Sequence, residues 1–410
     1  MRITHQYRLR PTKPQQAQME EWLDKLRCQY NWLLSERFVW WEEHRSPVNA
    51  CPLVCYLPTP KEQPDYYSQK LSLVPMKQAR PWYKDIHSQV LQDMVKRVKL
   101  SFDRYIKGDV KGNHSGKPRF KGKGRYRSFT YPQASIDWID GKLINLPKIG
   151  AMKVIWHRPL PNGFVAKTAT ITKKADSWYL NLSLGNKNVP EITPEFPTME
   201  NTTGIDMGLK AFLVTDEGEE VAIPQFYRKT EKKLKRLQRS LSRKKKGSTR
   251  RKKAIRRFAR AHLRAANTRK DFHHKAAKRL VGNGNHIGHE ALNIKGLART
   301  RMAKSVNDAG WGTFLEILSI KAERAGLMTI PVNPNGTTQD CSGCGIKVPK
   351  TIQDRWHSCP NCGCELDSDH NAAINIKQRA VGHPVQALRG DRNAEPVKRE
   401  ALAVPVLRST

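Results

Sequence analysis

A chain of 410 residues with 74 Lys and Arg against 37 Asp and Glu carries a formal charge of +37, more than a soluble fold needs and enough to repel itself unless a polyanion neutralises it. No apolar run approaches the roughly 20 residues of a membrane span, and the opening MRITHQYRLR lacks the apolar stretch of a secretory signal. Length and composition therefore exclude a membrane-embedded or disulfide-built protein and predict roughly two to four soluble, intracellular domains that bind nucleic acid.

Residues 2–10, RITHQYRLR, read as a strand stopped by Pro11. Thr12, Lys13 and Pro14 open a helix whose positions Met19, Trp22, Leu23, Leu26, Tyr30 and Leu33 share one apolar face. From about Ser46 to Val74 the chain is rich in Pro and Tyr without a period, which predicts a loop or insertion. Helical spacing resumes at Ile86, Val90, Met94, Val95, Val98 and Phe102, so these segments predict a small helical bundle. Gly116 to Pro132, GKPRFKGKGRYRSFTYP, has the composition of a surface that follows a nucleic-acid backbone and stacks bases, and equally that of a basic linker. Between Ala134 and Leu184, GKLINL, AMKVIWH, KTATITK and SWYLNLSL alternate between turn residues and predict a small antiparallel barrel or sandwich. Asn186 to Glu200, with three prolines, reads as a linker.

The next region opens with a short apolar strand ending at Asp206, a turn at Gly208, a strand AFLVT and the turn DEGE. A carboxylate at the end of an apolar strand is costly unless something cationic compensates it. From Arg228 to Arg279, 24 Lys and Arg face only Glu231 and Asp271, a surplus of 24 − 2 = +22. This segment reads as two helices broken near Gly247 and Ser248, with one apolar stripe at Leu234, Leu237 and Leu241 and another at Ile255, Phe258, Phe272, Ala276 and Leu280. HIGHEALNIKGL is a further strand carrying Glu290, Trp311 and Gly312 open a helix, and LMTIPVNP is another strand.

Cys341 with Cys344 and Cys359 with Cys362 form two CxxC knuckles separated by 14 residues, the spacing of a four-thiolate zinc ribbon. Two disulfides or a redox pair are the weaker readings, because only eight cysteines are spread over the chain. Cys364 competes with Cys362, but CPNC keeps the knuckle spacing and CPNCGC does not. After the ribbon, Asp367 and Asp369 precede a helix, where an Asp is most often an N-cap; a rigid metal-bound support lets one of these carboxylates serve a second purpose. Asp206, Glu290 and Asp369, all at element ends, supply the oxygen ligands that two hard cations, Mg²⁺ or Mn²⁺ about 4 Å apart, require for in-line phosphodiester hydrolysis. His289 reads as a structural histidine, and the tail 381–410 as poorly ordered.

GIDMGLKAF, HEALNIKGL, the NPNGTTQDCSGCG to CPNCG ribbon and DSDHNAAINI, with YRLRPTKPQQ and GKPRFKGK upstream, together resemble the TnpB family, transposon-encoded relatives of the type V CRISPR effectors, over about residues 3–378. The resemblance implies a multidomain α+β chain: a wedge-type β-barrel (1–10 and 117–190) with an inserted helical recognition domain (11–116), a linker (191–200), and an RNase H-like RuvC nuclease domain (201–335 and 366–380) interrupted by a zinc ribbon (336–365). It further implies an RNA-guided double-strand DNA endonuclease of the bacterial cytoplasm, associated with the nucleoid, using a guide RNA from the transposon end and a short motif flanking the DNA target. Catalysis would fall to Asp206, Glu290 and Asp369 with Mg²⁺ or Mn²⁺, and structural Zn²⁺ to Cys341, Cys344, Cys359 and Cys362. Ala291 stands where the family usually has an acid, and Ser368 where it has Arg. The alternatives are an RNA-guided DNA-binding repressor without cleavage, or a transposase accessory protein.

Overall fold

Side-chain alternation decides the first element: β1 (Arg2–Arg10) turns Ile3, His5, Tyr7 and Leu9 inward and its arginines out. The computed structural model describes residues 2–45, 62–109, 112–134, 137–139, 142–188, 194–351 and 354–382. The stretch 46–61, part of the expected insertion, and 383–410, most of the expected unordered tail, lie outside the described residues. The chain divides into two compact units, Met1–Glu191 and Ile192–Thr410.

In the first unit Pro11 ends β1, and Thr12 and Gln15 form a reciprocal cap. The Thr12 amide donates to Gln15 Oε1 (3.0 Å) and the Gln15 amide to Thr12 Oγ1 (3.4 Å). From there α1 (Lys13–Arg45) continues for 33 residues. Next come α2 (Tyr66–Leu71), α3 (Leu73–Ala79), a 3₁₀ turn (Pro81–Asp85) and α4 (Ser88–Ile106). α2 corrects the reading of this stretch as loop. Six residues are too few to display a helical period, but Asp65 and Ser68 form a capping box that starts the helix. Every position expected on the apolar faces of α1 and α4 is buried.

β2 (Ser128–Tyr131), β3 (Asp137–Ile139), β4 (Leu143–Leu146), β5 (Gly150–Ile155), β6 (Val165–Lys173) and β7 (Trp178–Gly185) join β1 in one seven-stranded sheet of order β2-β6-β7-β1-β5-β4-β3, antiparallel throughout. The expected barrel or sandwich is thus an open sheet among the described residues, with β2 and β3 as its edges. The helices inserted between β1 and β2 share its core, where Trp22, Phe102, Phe129 and Leu180 are buried together. The basic, aromatic stretch before β2 has no helix or strand and is strapped to α1, where Asn31 donates to the Lys121 carbonyl (3.0 Å) and accepts from its amide (2.8 Å).

The second unit is built on β8 (Thr202–Asp206), β9 (Ala211–Thr215), β10 (Glu220–Ala222), β11 (His286–Glu290) and β12 (Thr329–Val332), in the order β10-β9-β8-β11-β12. β8, β11 and β12 run parallel, and β9 and β10 are antiparallel additions. Between β10 and β11 lie α5 (Phe226–Ser242) and α6 (Thr249–Gly282), and between β11 and β12 come α7 (Ile294–Leu297), α8 (Ala303–Ala309) and α9 (Trp311–Arg324). A small hairpin, β13 (Trp356–Ser358) with β14 (Glu365–Asp367), leads directly into α10 (Ser368–Val381).

Strand parity fixes which helices cover which face. Ile205 and Ile287 pack with Phe212, Ala277, Phe314 and Leu318, so α6 and α9 cover that side. Their neighbours Gly204 and Gly288, paired in register, must face the other way, toward α10. A Cβ on Gly204 would sit 2.1 Å from the Ala373 carbonyl, and one on Gly288 would sit 2.7 Å from Ala380 Cβ. Two adjacent glycines therefore make the trough in which the last helix lies.

The basic pair breaks where expected, and Ser248 caps α6 by accepting from the Arg251 amide (3.1 Å). The start of α5 is capped from a distance: buried Asp308 accepts from the amides of Tyr227 (2.7 Å) and Arg228 (3.2 Å) and pairs with Arg269 (3.3 Å). Ile255, expected in an apolar stripe, is exposed, because burial on α6 begins only at Ala265, where the helix reaches the sheet. Among the described residues no helix is long and apolar enough to cross a membrane.

Candidate active site and metal centre

The parity that turns Gly204 and Gly288 toward α10 also turns Asp206 and Glu290, two residues further along the same strands, to that face. Asp369 stands in the first turn of α10, over the same strand ends. Asp206 feels the other two acids. Burial first, then the charges of Glu290 and Asp369, push the Asp206 carboxyl up to about 8. Burial also raises Glu290, against the Thr337 hydroxyl and Arg379, and raises Asp369, with Asp367 adding to the effect and Arg355 and Lys210 opposing it. A carboxyl held so far above the usual range, by burial first and by like charges second, is a group that a cation would stabilise in its ionised form. Asp367, the rival of Asp369, is the helix N-cap and accepts from the Asp369 amide at 2.9 Å.

Neighbours hold Glu290 and the elements that carry the other two acids. Thr337 Oγ1 donates to Glu290 Oε1 at 2.5 Å. Asp216, in the DEGE turn, accepts from the Gly204 amide (3.0 Å) and from Lys377 Nζ (2.7 Å), tying β8 to α10. His370 Nε2 lies 3.0 Å from the Asp216 carbonyl and donates to it when protonated there. His289 has Nδ1 2.9 Å from the Glu290 carbonyl, in keeping with a structural role.

The four cysteines of the two knuckles come together, with all four sulfurs within 4.8 Å of one another. This is the one such set of three or more His, Cys, Asp or Glu ligand atoms among the described residues. Cys341 and Cys362 Sγ are 3.6 Å apart, and Cys344 and Cys359 3.5 Å. The edge of a tetrahedron with metal–sulfur bonds of about 2.3 Å is about 3.8 Å, so the donor set fits one closed four-thiolate metal site. Each knuckle closes with a left-handed glycine whose amide donates back to the first cysteine carbonyl, Gly345 to Cys341 (2.8 Å) and Gly363 to Cys359 (3.0 Å). The Cys362 amide, against burial, pulls the Cys359 thiol down to about 6. The Cys364 amide favours the Cys362 thiolate, but the crowd of sulfurs outweighs it and pushes that thiol up to about 12. Four sulfurs so close cannot all ionise without a cation between them. Cys364 stays outside the set.

The thiolate cluster is fastened to α10. Asn371 accepts from the Ser342 amide (2.9 Å) and donates to the Asp340 carbonyl (2.9 Å), while Asn375 donates to the carbonyls of Thr337 (2.9 Å) and Asp340 (2.6 Å). Arg379 adds bonds to the Asn333 and Asn335 carbonyls and to Asp340.

Comparison with known proteins follows the same residues. A family model described as "Probable transposase" matches 187–301, the span of Asp206 and Glu290. One described as "Cas12f1-like, TNB domain" matches 311–376, the span of the thiolates and Asp369, and one described as "Helix-turn-helix domain" matches 1–46. A putative RNA-guided DNA endonuclease of Streptomyces pristinaespiralis is 28% identical over 378 residues, covering 90% of this chain and 87% of that protein. InsQ of Escherichia coli K12, also a putative RNA-guided DNA endonuclease, is 28% identical over 416 residues and 96% of each chain. The TnpB-like protein L770 of Acanthamoeba polyphaga mimivirus is 25% identical over 400 residues, covering 90% of this chain and 71% of that one. Together these matches support the TnpB family.

In this chain the residues matched as helix-turn-helix are β1 and the unbroken α1. Sequence reasoning had isolated the acids and thiolates but missed their supports, Asp216, Thr337, Asn371, Asn375 and Arg379. Asn371 and Asn375, spaced i and i+4 on a helix, were the one readable signal that a polar partner faces this side of α10.

Proposed function

We propose that this TnpB-family protein is an RNA-guided DNA endonuclease whose RuvC-type site is Asp206, Glu290 and Asp369. One observation carries the reading: acids from two neighbouring strand ends and a helix start share one buried place, where burial first and then the charges of Glu290 and Asp369 raise Asp206 to about 8. The named activity of relatives over nearly the whole chain supports it. The domain limits read from the sequence belong to the same proposal, with 201–335 and 366–380 as nuclease, 336–365 as a Zn²⁺ ribbon, 1–10 with 117–190 as wedge and 11–116 as recognition domain.

The three carboxylates would hold Mg²⁺ or Mn²⁺, which supply Lewis acidity to the water and to the leaving oxygen of an in-line hydrolysis. Thr337 orients Glu290, Asp216 keeps β8 and α10 in register, and the Asn371 and Asn375 bonds hold the start of α10 over the strand ends. The surplus positive charge of α5 and α6 attracts the backbone of nucleic acid whatever its sequence. Sequence choice is left to guide pairing, with a short flanking motif read on the duplex.

The test is to sequence the RNA that co-purifies with the chain and to incubate that complex with a matched supercoiled plasmid in Mg²⁺. A defined transposon-end RNA and linear product with 5′-phosphates are expected. Tight binding without breaks would instead make the protein a repressor, and covalently joined donor–target products a transposase.

A further inference from the structure

We propose that Trp356 is a stacking platform that holds one base of single-stranded DNA at the mouth of the carboxylate site, with the Arg355 guanidinium beside it taking a backbone phosphate. This names a positioning contact within the nuclease reading and rests on it.

The placement follows from the β13–β14 hairpin. Trp356 pairs directly with Asp367, and residues opposite one another in an antiparallel pair share a face with Cβ atoms about 4.5–5.5 Å apart. Asp367 caps α10 through the Asp369 amide (2.9 Å), the Ser368 amide donates to the Arg355 carbonyl (2.8 Å), and Arg355 Nη1 lies 3.7 Å from Asp369 Oδ1. The indole thus stands one cross-strand pair from Asp367, the cap of the helix whose first turn carries Asp369, on a hairpin whose backbone is tied to that helix.

Its exposure has no packing reason. Along β13 His357 is fully buried while Trp356 is 59% exposed, so the hairpin turns its small residue-lined core one way and its largest apolar ring toward water. Among the described residues of the second unit, Phe196 is the other exposed aromatic, in the segment before β8. An outward indole beside a guanidinium matches the two surfaces of a nucleotide, an apolar base face and an anionic phosphate. Stacking accepts every base, as a site whose specificity comes from pairing must. The platform is rigid because the hairpin is bracketed by Cys359 and α10, so a stacked base would fix the phosphate next to it. Arg355, 3.7 Å from Asp369, sets a positive charge at the edge of the acids where that phosphate would lie.

The experiment uses the RNA-loaded protein and a matched DNA target, with single-turnover cutting and target binding measured for wild type, Trp356→Ala and Trp356→Tyr. Trp356→Ala should cut roughly 5- to 100-fold more slowly, the range of one lost base–aromatic stack, with Trp356→Tyr recovering most of the rate. Single abasic sites scanned along the cut strand give the readout that a structural role would not move. One position should slow wild type to the level of Trp356→Ala and leave Trp356→Ala itself unaffected. Zinc content of one per chain shows that the variant ribbon is folded; if Trp356→Ala loses zinc, the comparison of wild type with Trp356→Tyr on the abasic series takes its place. Cutting by Trp356→Ala at the wild-type rate, or equal sensitivity of both proteins to every abasic site, overturns the platform, and points to a protein partner for the ring. Should wild type bind but not cut, the nuclease reading fails, and the platform is judged by anisotropy of fluorescein-labelled single-stranded DNA: a 5- to 100-fold weaker Kd for Trp356→Ala sustains it, equal Kd ends it.

Discussion

The thiolate cluster and the carboxylate cluster share one helix but are assembled in opposite ways. The four sulfurs come from a short local segment, 341–362, whose two tight turns bring them within 4.8 Å. The three acids come from two strands and a helix start far apart in the chain, and they converge because parallel pairing sets Asp206 beside Glu290 and because two glycines let α10 settle on the sheet. A local cluster needs turn chemistry, whereas a long-range one needs a whole sheet and its packed helix. The local cluster also holds the distant one in place, since Asn371 and Asn375 bind α10 to the knuckle backbone.

Several substitutions separate the two clusters, beginning with the largest effect. Asp206→Ala should reduce cutting of a matched plasmid by about 10³-fold or more, with filter-binding affinity for the target changed less than about 2-fold, because an acid is lost from the site and no positive surface is removed. Retained cutting would take Asp206 out of the catalytic set. Gly204→Ala places a methyl 2.1 Å from the Ala373 carbonyl, so α10 must move away from the sheet. The cost should be about 3 kcal/mol, a fall in Tm on the order of 10 °C by calorimetry, while Gly282→Ala, with open space at its Cβ, should shift Tm by less than about 2 °C. Equal behaviour of the two variants would contradict the trough.

Cys341→Ser tests whether the local cluster supports the distant one: zinc measured by a chelating dye should drop from one per chain to near zero, and cutting should fall about 10- to 100-fold. Wild-type cutting without zinc would break the coupling. The pH dependence of stability probes the acids alone. The Asp206 carboxyl titrates near 8 in the fold and at about 4 unfolded, so the native state holds the extra proton between those values and stability falls as pH rises through them. In EDTA, Asp206→Asn should therefore melt several degrees above wild type at pH 8, the gap closing toward pH 4, and Mg²⁺ should raise wild-type Tm more than that of the variant. Identical melting at pH 8 would mean that burial and the neighbouring acids do not raise the Asp206 carboxyl. The smallest effect is expected for Asn375→Ala, about 1–2 kcal/mol from the lost bonds to Thr337 and Asp340, with zinc retained.

Legibility in the sequence followed the same division. Helices with a long apolar face were plain, as in α1 and α4, because 3.6-residue spacing repeats several times within each. α2 was missed because it has too few turns to repeat, and that the expected barrel leaves its edges β2 and β3 unjoined was not legible because alternation marks strands but not which edges pair. Ile255 was misplaced because a helix face can be apolar yet project beyond whatever would cover it. The site acids were legible through residue type and resemblance, but their supports were not. Asp216 looked like an ordinary turn residue and Thr337 like ribbon flank, since a hydrogen bond between distant segments leaves no mark on either.

By itself the sequence determined the knuckles, the polycationic helical pair and the family, because each is written in residues close together along the chain. Tertiary structure alone decided that Asp367 is spent on capping α10 and that Thr337, Asn371 and Asn375 tie the acids and the knuckles to one another. Neighbours in sequence can differ only by the direction their side chains take, and that direction is fixed by what packs against the backbone: here, two glycines on adjacent strands and the helix that lies across them.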